Sequence, residues 1–146
     1  MPVSAYPKEL TDAYWKKVES RLKVSNTGVG QTLRNLEKLY KDFVTKVDAF
    51  EKAGTDAAGT KKAVTALTKA LDATETTLMA HYQKLKGKGR SFDKDPEMKV
   101  LDRYMKAVSG ISHDAAGIIT GSDAGQAVKR YNDRLKMWAG FINKPG

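Results

Sequence analysis

The side chains most able to bind metals or transfer protons are scarce in this sequence, which has two histidines and no cysteine. Neither His81 nor His113 has a glutamate or aspartate three or four residues before it, so the Glu-x-x-His pattern of carboxylate-bridged metal bundles is absent. The lack of cysteine also excludes a zinc ribbon and thiol catalysis. The sequence therefore predicts no metal and no cofactor, and it predicts that His81 is partly buried and held by a hydrogen bond.

Three other groupings contain residue types used in catalysis or phosphate binding. Ser112-His113-Asp114 has the residue types of a catalytic triad, but adjacency in sequence does not give triad geometry. Gly28 and Gly30 precede a predicted helix, but they follow a helix rather than a strand and lack the Gly-Lys-[Ser/Thr] ending of a phosphate-binding loop. Asp93 and Asp95 lie in a lysine-rich loop rather than in an apolar pocket. We therefore expect no catalytic residues and a protein that is not an enzyme.

Basic side chains form two clusters that could bind a polyanion. The first cluster crosses a glycine-containing loop, with no acid between Thr76 and Phe92, and consists of Lys84, Lys86, Lys88 and Arg90. The second cluster lies on the last predicted helix, opposed only by Asp133, and consists of Lys129, Arg130, Arg134 and Lys136. Such charges can neutralise phosphates without reading a base sequence. The alternative is that they complement the negative end of a helix dipole and cover the outer surface of a bundle.

Two aromatic side chains are expected at the surface because they adjoin residues assigned to the core. Tyr14 and Trp15 are neighbours and cannot both face one core, and the same holds for Phe141 and Ile142. An exposed tryptophan is often an anchor of a protein interface. We therefore predict Trp15 and Phe141 as protein-interface residues, in contact with a protein partner or with a second copy of the chain.

Length and composition limit the class of protein. The 146 residues are typical of one domain, and we expect residues 1–146 to form a single helical-bundle domain. The hydrophobic fraction of 40% and the charged fraction of 29% exclude a disordered chain. The net charge of +9 is compatible with a polyanionic partner such as nucleic acid, an anionic membrane face or an acidic protein, but it is spread evenly along the chain, which is typical of a solvated surface. No segment approaches the ~20 apolar residues of a membrane span, and residues 1–10 show no secretion signal. We expect a soluble protein that is cytoplasmic or part of a larger particle.

The elements that must position these residues are helices. The clearest apolar seam has spacings of four and three residues and consists of Val29, Leu33, Leu36, Tyr40, Phe43, Val47 and Phe50. A similar seam follows in residues 60–86, where we expect Met79 and Tyr82 to share the buried face. These two helices predict a long antiparallel hairpin over 29–86, with further helices at 7–24, 96–109 and 123–143. The glycines between Gly110 and Gly121 predict a short or broken helix.

The sequence thus predicts an all-α, up-and-down bundle of four to five helices built around a long antiparallel helical hairpin. Because catalytic patterns are absent and the helix seams are regular, we expect a non-enzymatic structural or adaptor protein that acts through helix faces within a larger assembly. The alternative function is sequence-independent binding of nucleic acid or another polyanion through the basic loop at 84–90 and the basic face of the last helix.

Overall fold

A computed structural model of the chain describes residues 3–25, 27–53, 57–91, 93–118 and 124–143. Within these ranges the protein contains helices and no strand, which confirms the predicted all-α bundle. One turn of 3-10 helix precedes five α-helices, whose bounds are α1 Asp12–Leu22, α2 Val29–Ala53, α3 Ala57–Gly87, α4 Glu97–Ala116 and α5 Ala124–Asn143. None of the helices in the described ranges is long and apolar enough to cross a membrane. The predicted helix end at Gly54 and the predicted start at residue 123 lie outside the described residues.

The α2–α3 hairpin forms one side of the bundle, because both helices bury the apolar seams that the sequence predicts. In the α2 seam, Phe50 is half-buried and the other side chains are buried. In α3, Thr74 is buried among leucines and donates its hydroxyl hydrogen bond to Ala70 O at 2.8 Å, so it needs no polar partner outside the helix. The expectation for Met79 is wrong. Its side chain is 48% exposed because it lies about 100° around the helix from the buried Leu78, whereas Tyr82 is half-buried.

The other helices complete the bundle in an up-and-down order. α3 packs on α4, α4 packs on α5, and α1 lies against α2 and α4. The predicted helix over 7–24 is interrupted: a 3-10 turn, Lys8–Leu10, is followed by Thr11, which begins α1. The Thr11 side chain accepts a hydrogen bond from Tyr14 N at 3.3 Å and donates one to Lys8 O at 2.6 Å. Thr11 therefore acts as a helix cap where the sequence pattern predicted an uninterrupted helix.

The extended segment before the 3-10 turn, residues 3–7, joins α2 to α5. We call this segment the N-terminal strap. Val3 N donates to Asp48 Oδ1 of α2 at 3.1 Å, and Ser4 N donates to Asn132 Oδ1 of α5 at 2.8 Å. Tyr40 of α2 donates its hydroxyl hydrogen bond to Ser4 O at 2.6 Å. The strap thus satisfies its own backbone groups by joining the two helices.

The predicted break at Gly110 is wrong, because α4 continues through this residue to Ala116. A Cβ atom at Gly110 would lie 2.2 Å from Cε2 and Cζ2 of Trp138, well inside van der Waals contact. Glycine is therefore required here so that the indole ring of α5 can lie against the backbone of α4. The predicted start of α4 is confirmed: Glu97 N donates to Asp95 Oδ1 at 3.2 Å, and Pro96 precedes the first helical residue.

Candidate functional site

The triad-like residues point to different neighbours in the structure. Ser112 donates its hydroxyl hydrogen bond to Asp72 Oδ1 of α3 at 2.9 Å. Asp114 instead faces α5, where its Oδ2 accepts from Arg134 Nε at 2.9 Å and from Trp138 Nε1 at 3.0 Å. His113 between them is exposed. A triad needs the histidine to bridge the hydroxyl and the carboxylate, whereas Ser112 and Asp114 here join α4 to α3 and to α5.

His81 is half-buried, and its Nε2 lies 2.7 Å from Thr27 O, in the turn between α1 and α2. The prediction of a partly buried, hydrogen-bonded histidine is confirmed. Among the described residues, no group of three or more histidine, cysteine, aspartate or glutamate side chains could hold a metal ion. The contact of His81 with Thr27 has another consequence, since it ties the end of α3 to the α1–α2 turn.

Three tyrosines near the N-terminal segment could in principle transfer protons, but the hydroxyl groups of Tyr6, Tyr40 and Tyr104 donate hydrogen bonds to backbone carbonyls. Tyr104 donates to Glu9 O at 2.5 Å, and Tyr6 donates to Leu10 O at 2.7 Å. Burial raises the pKa of both groups, and it raises the pKa of Tyr40 to about 12. Neutral phenols fixed in this way hold the 3-10 turn and the strap onto the bundle.

The predicted exposure of Trp15 is wrong, because the side chain is 1% exposed. Its Nε1 donates to Thr27 Oγ1 at 2.9 Å, and the Thr27 hydroxyl donates to Glu19 Oε2 at 2.6 Å. The buried stripe of α1 consists of Trp15, Val18 and Leu22, at spacings of three and four residues, and Tyr14 is half-buried beside it. Trp15 therefore has no free surface for a partner.

Phe141 is half-buried, and its ring packs edge-on against Trp138 at a centroid distance of 5.8 Å. Met137, one turn earlier on α5, is 45% exposed. The sequence analysis missed Met137, although its position opposite the buried Val128, Tyr131 and Leu135 indicated exposure. Met137 and Phe141 together form a small apolar surface on the outer face of α5.

Arg90, predicted as part of the polyanion-binding loop, is engaged inside the protein. Its Nε and Nη2 bind the carboxylate of Asp95, and its Nη1 donates to Leu22 O at the end of α1 at 2.6 Å. The side chain of Arg90 is 24% exposed and that of Asp95 is 19% exposed. The assignment of Arg90 as a phosphate-binding residue is therefore corrected, since all three nitrogen atoms have protein partners.

The lysines of the same cluster, Lys84, Lys86 and Lys88, have exposed side chains. The end of α3 is capped by backbone groups: Lys88 N and Arg90 N donate to Leu85 O at 3.1 and 3.2 Å, and Gly89 N donates to Lys86 O at 3.0 Å. Gly89 permits this geometry because its φ is +86°, which other residues rarely adopt. The lysine ammonium groups are thus not needed to satisfy these carbonyl groups.

Two more exposed cations come from the end of α1. Arg21 and Lys23 flank Leu22, the residue whose carbonyl oxygen binds Arg90. The His81–Thr27 contact brings the following turn against α3 as well. We define the basic end of the bundle as the exposed side chains Arg21, Lys23, Lys84, Lys86 and Lys88. None of the five takes part in an ion pair within the part of the chain that the structure describes.

The second predicted cluster is split by the structure. Lys129, Arg130 and Lys136 are exposed on α5. Arg134 is engaged, because its guanidinium group binds Asp114 and lies over the Trp138 ring at 5.5 Å from the ring centroid. Arg134 is therefore corrected to a residue that joins α4 and α5.

Comparisons with protein families, with curated proteins and with solved structures find no match to this chain.

Proposed function

We propose that the protein binds a polyanion without catalysis, through the basic end of the bundle. The observation that carries the proposal is the backbone capping of α3, which leaves three lysine side chains exposed at the end of α3, the end that Arg90 joins to Leu22 between Arg21 and Lys23. Had the lysines satisfied the helix end, their charges would have been explained by the fold alone.

The chemistry of the basic end favours a phosphate backbone rather than a sequence-specific ligand. Lysine presents a mobile point charge on a flexible stem, whereas reading of base edges relies on planar, oriented groups such as those of arginine and asparagine. Four of the five side chains of the basic end are lysines, and Arg90 is bound to Asp95, so Arg21 alone of the five presents a planar fork. The site therefore suits nucleic acid of any sequence, with binding that weakens steeply as salt is added.

The test is fluorescence anisotropy with a labelled single-stranded DNA oligonucleotide of mixed sequence over a range of salt concentrations. The test variant replaces the three α3 lysines by glutamine: Lys84→Gln, Lys86→Gln and Lys88→Gln. The matched control replaces three exposed lysines in the first half of the same helix: Lys61→Gln, Lys62→Gln and Lys69→Gln.

In the test variant, the magnitude of the slope of the logarithm of the binding constant against the logarithm of salt concentration should fall by about 2. Each single-strand phosphate contact contributes about 0.7 to this slope, and three lysines are replaced. The control should keep most of the wild-type slope. Equal losses in the two variants would mean that net charge alone drives binding, and absence of wild-type binding would contradict the proposal.

A second candidate function is that of a structural or adaptor protein that assembles through helix faces. Burial of Trp15 removes one of its two predicted interface residues. The observation that favours it is the apolar surface formed by Met137 and Phe141 on α5. The test is the mass in solution by light scattering for wild type, for Met137→Ser with Phe141→Ser, and for the control Met79→Ser. A wild-type monomer would contradict self-association, and an oligomer that the double variant leaves intact would contradict the assignment of Met137 and Phe141 to its interface.

A further inference from the structure

The guanidinium group of Arg90 is the point at which three parts of the chain meet. It donates a hydrogen bond to the carbonyl oxygen of Leu22, the last residue of α1, and it binds the carboxylate of Asp95, two residues before α4. Arg90 itself belongs to the turn that caps α3, because its backbone N donates to Leu85 O. We call the contacts of Arg90 with Leu22 and Asp95 the Arg90 latch.

Asp95 supports the latch from the opposite side. One carboxylate oxygen, Oδ2, binds Arg90, and the other, Oδ1, accepts from Glu97 N in the first turn of α4. The hydrogen bond from Glu97 N therefore helps to orient the carboxylate toward the guanidinium group. Nε and Nη2 of Arg90 both contact the single oxygen Oδ2, so charge-assisted hydrogen bonds hold the guanidinium group against the carboxylate.

We infer that the Arg90 latch holds the α1 and α3 portions of the basic end together, so that Arg90 and Asp95 are positioning residues for polyanion binding; this inference rests on the proposed function. Arg21 and Lys23 flank Leu22 in the chain, and the three α3 lysines lie two, four and six residues before Arg90. Charges held at a fixed separation bind one polyanion with a higher effective concentration than charges on two independently moving segments.

Asp95→Asn gives the sharpest test because the latch and simple electrostatics predict opposite results. Removal of a negative charge beside a basic site should tighten polyanion binding if only charge matters. The latch predicts weaker binding, because asparagine retains the helix cap but cannot form the ionic contact with Arg90. The matched control is Asp93→Asn, which changes the same charge at an exposed position two residues away.

With the same DNA oligonucleotide, we expect Asp93→Asn to tighten binding by about twofold and Asp95→Asn to weaken it by about threefold to tenfold. Arg90→Lys, which conserves the charge, should weaken binding to a similar degree, since an ammonium group cannot reach both partners. Asp95→Asn binding as tightly as Asp93→Asn would overturn the inference, and so would wild-type affinity in Arg90→Lys.

Amide hydrogen exchange measured on the free protein tests the latch separately from DNA binding. In Arg90→Lys, the amides of Arg90 and Asp95 should exchange at least about tenfold faster than in wild type, while amides in the middle of α2 keep their rates. If wild type fails to bind DNA but exchange accelerates, the proposed function is wrong and the latch stands as a structural contact. If exchange is unchanged, the latch itself is wrong.

Discussion

Alanine at Gly110 would test the packing of Trp138 against α4. The added Cβ atom would lie 2.2 Å from two ring carbons, whereas ordinary contacts begin near 3.4 Å, so the ring must move by the difference, about 1.2 Å. The ring is not free to move. Its Nε1 donates to Asp114 Oδ2 at 3.0 Å, Arg134 lies over one face, and Phe141 packs against it.

The free energy of unfolding should fall by about 2 kcal/mol. Overpacking of this kind costs about 1–3 kcal/mol, and loss of a hydrogen bond to a charged acceptor costs about 1.5 kcal/mol. The higher helix propensity of alanine returns about 1 kcal/mol. For a chain of this length the melting temperature should drop by about 4–8 °C.

The assay is urea unfolding followed by circular dichroism, with Gly140→Ala as the matched control. Gly140 lies in α5, and a Cβ atom there would meet no atom within 4 Å, so alanine should stabilise the protein by up to about 1 kcal/mol. In a double-mutant cycle, Trp138→Leu should relieve most of the cost of Gly110→Ala. If Gly110→Ala is as stable as Gly140→Ala, the close approach of the two helices is refuted.

Two further predictions concern the buried polar contacts. Thr27→Val should lower the unfolding free energy by about 1–3 kcal/mol, because it leaves the indole N–H of Trp15 buried without an acceptor. Denaturation followed by tryptophan fluorescence measures the change in stability, and an unchanged midpoint would contradict the prediction. The protein should also lose stability as the pH rises from 10 to 12, because unfolded tyrosines ionise near 10 while the folded pKa of Tyr40 is about 12 and that of Tyr104 is raised. The unfolding free energy measured across this pH range should decline less steeply for Tyr104→Phe than for wild type. A wild-type unfolding free energy that stays constant from about pH 10 to 12 would contradict the prediction.

The α2–α3 hairpin could be predicted because the spacing of apolar residues within one helix is enough to define its buried face. The seam from Val29 to Val47 repeats over many turns, so this face follows from helix geometry alone. The start of α4 could be predicted as well, because aspartate and proline at positions 95 and 96 are residue types that favour a helix start. The glycine at position 110 could not be interpreted in this way. In isolation it suggests a helix break, and only the ring of Trp138, 28 positions later, explains it.

The candidate site could be predicted in part for the same reason. The exposure of Lys84, Lys86 and Lys88 follows from their position on a helix and its terminal turn. The engagement of Arg90 depends on Leu22, which is 68 residues away and carries no local signal. The burial of Trp15 was missed because Tyr14 was assigned to the core, whereas Trp15, three residues before Val18, lies on the buried stripe of α1.

The N-terminal strap has a consequence for the order in which the protein forms on the ribosome. Ser4 bonds to Asn132, which is 128 positions later in the chain. The strap therefore has no helical partner on one side until α5 has been synthesised, and the seam between α2 and α5 cannot close before α5 docks. Ordered local pairs such as α2 and α3 can form first, and docking of the strap is expected among the last steps of folding.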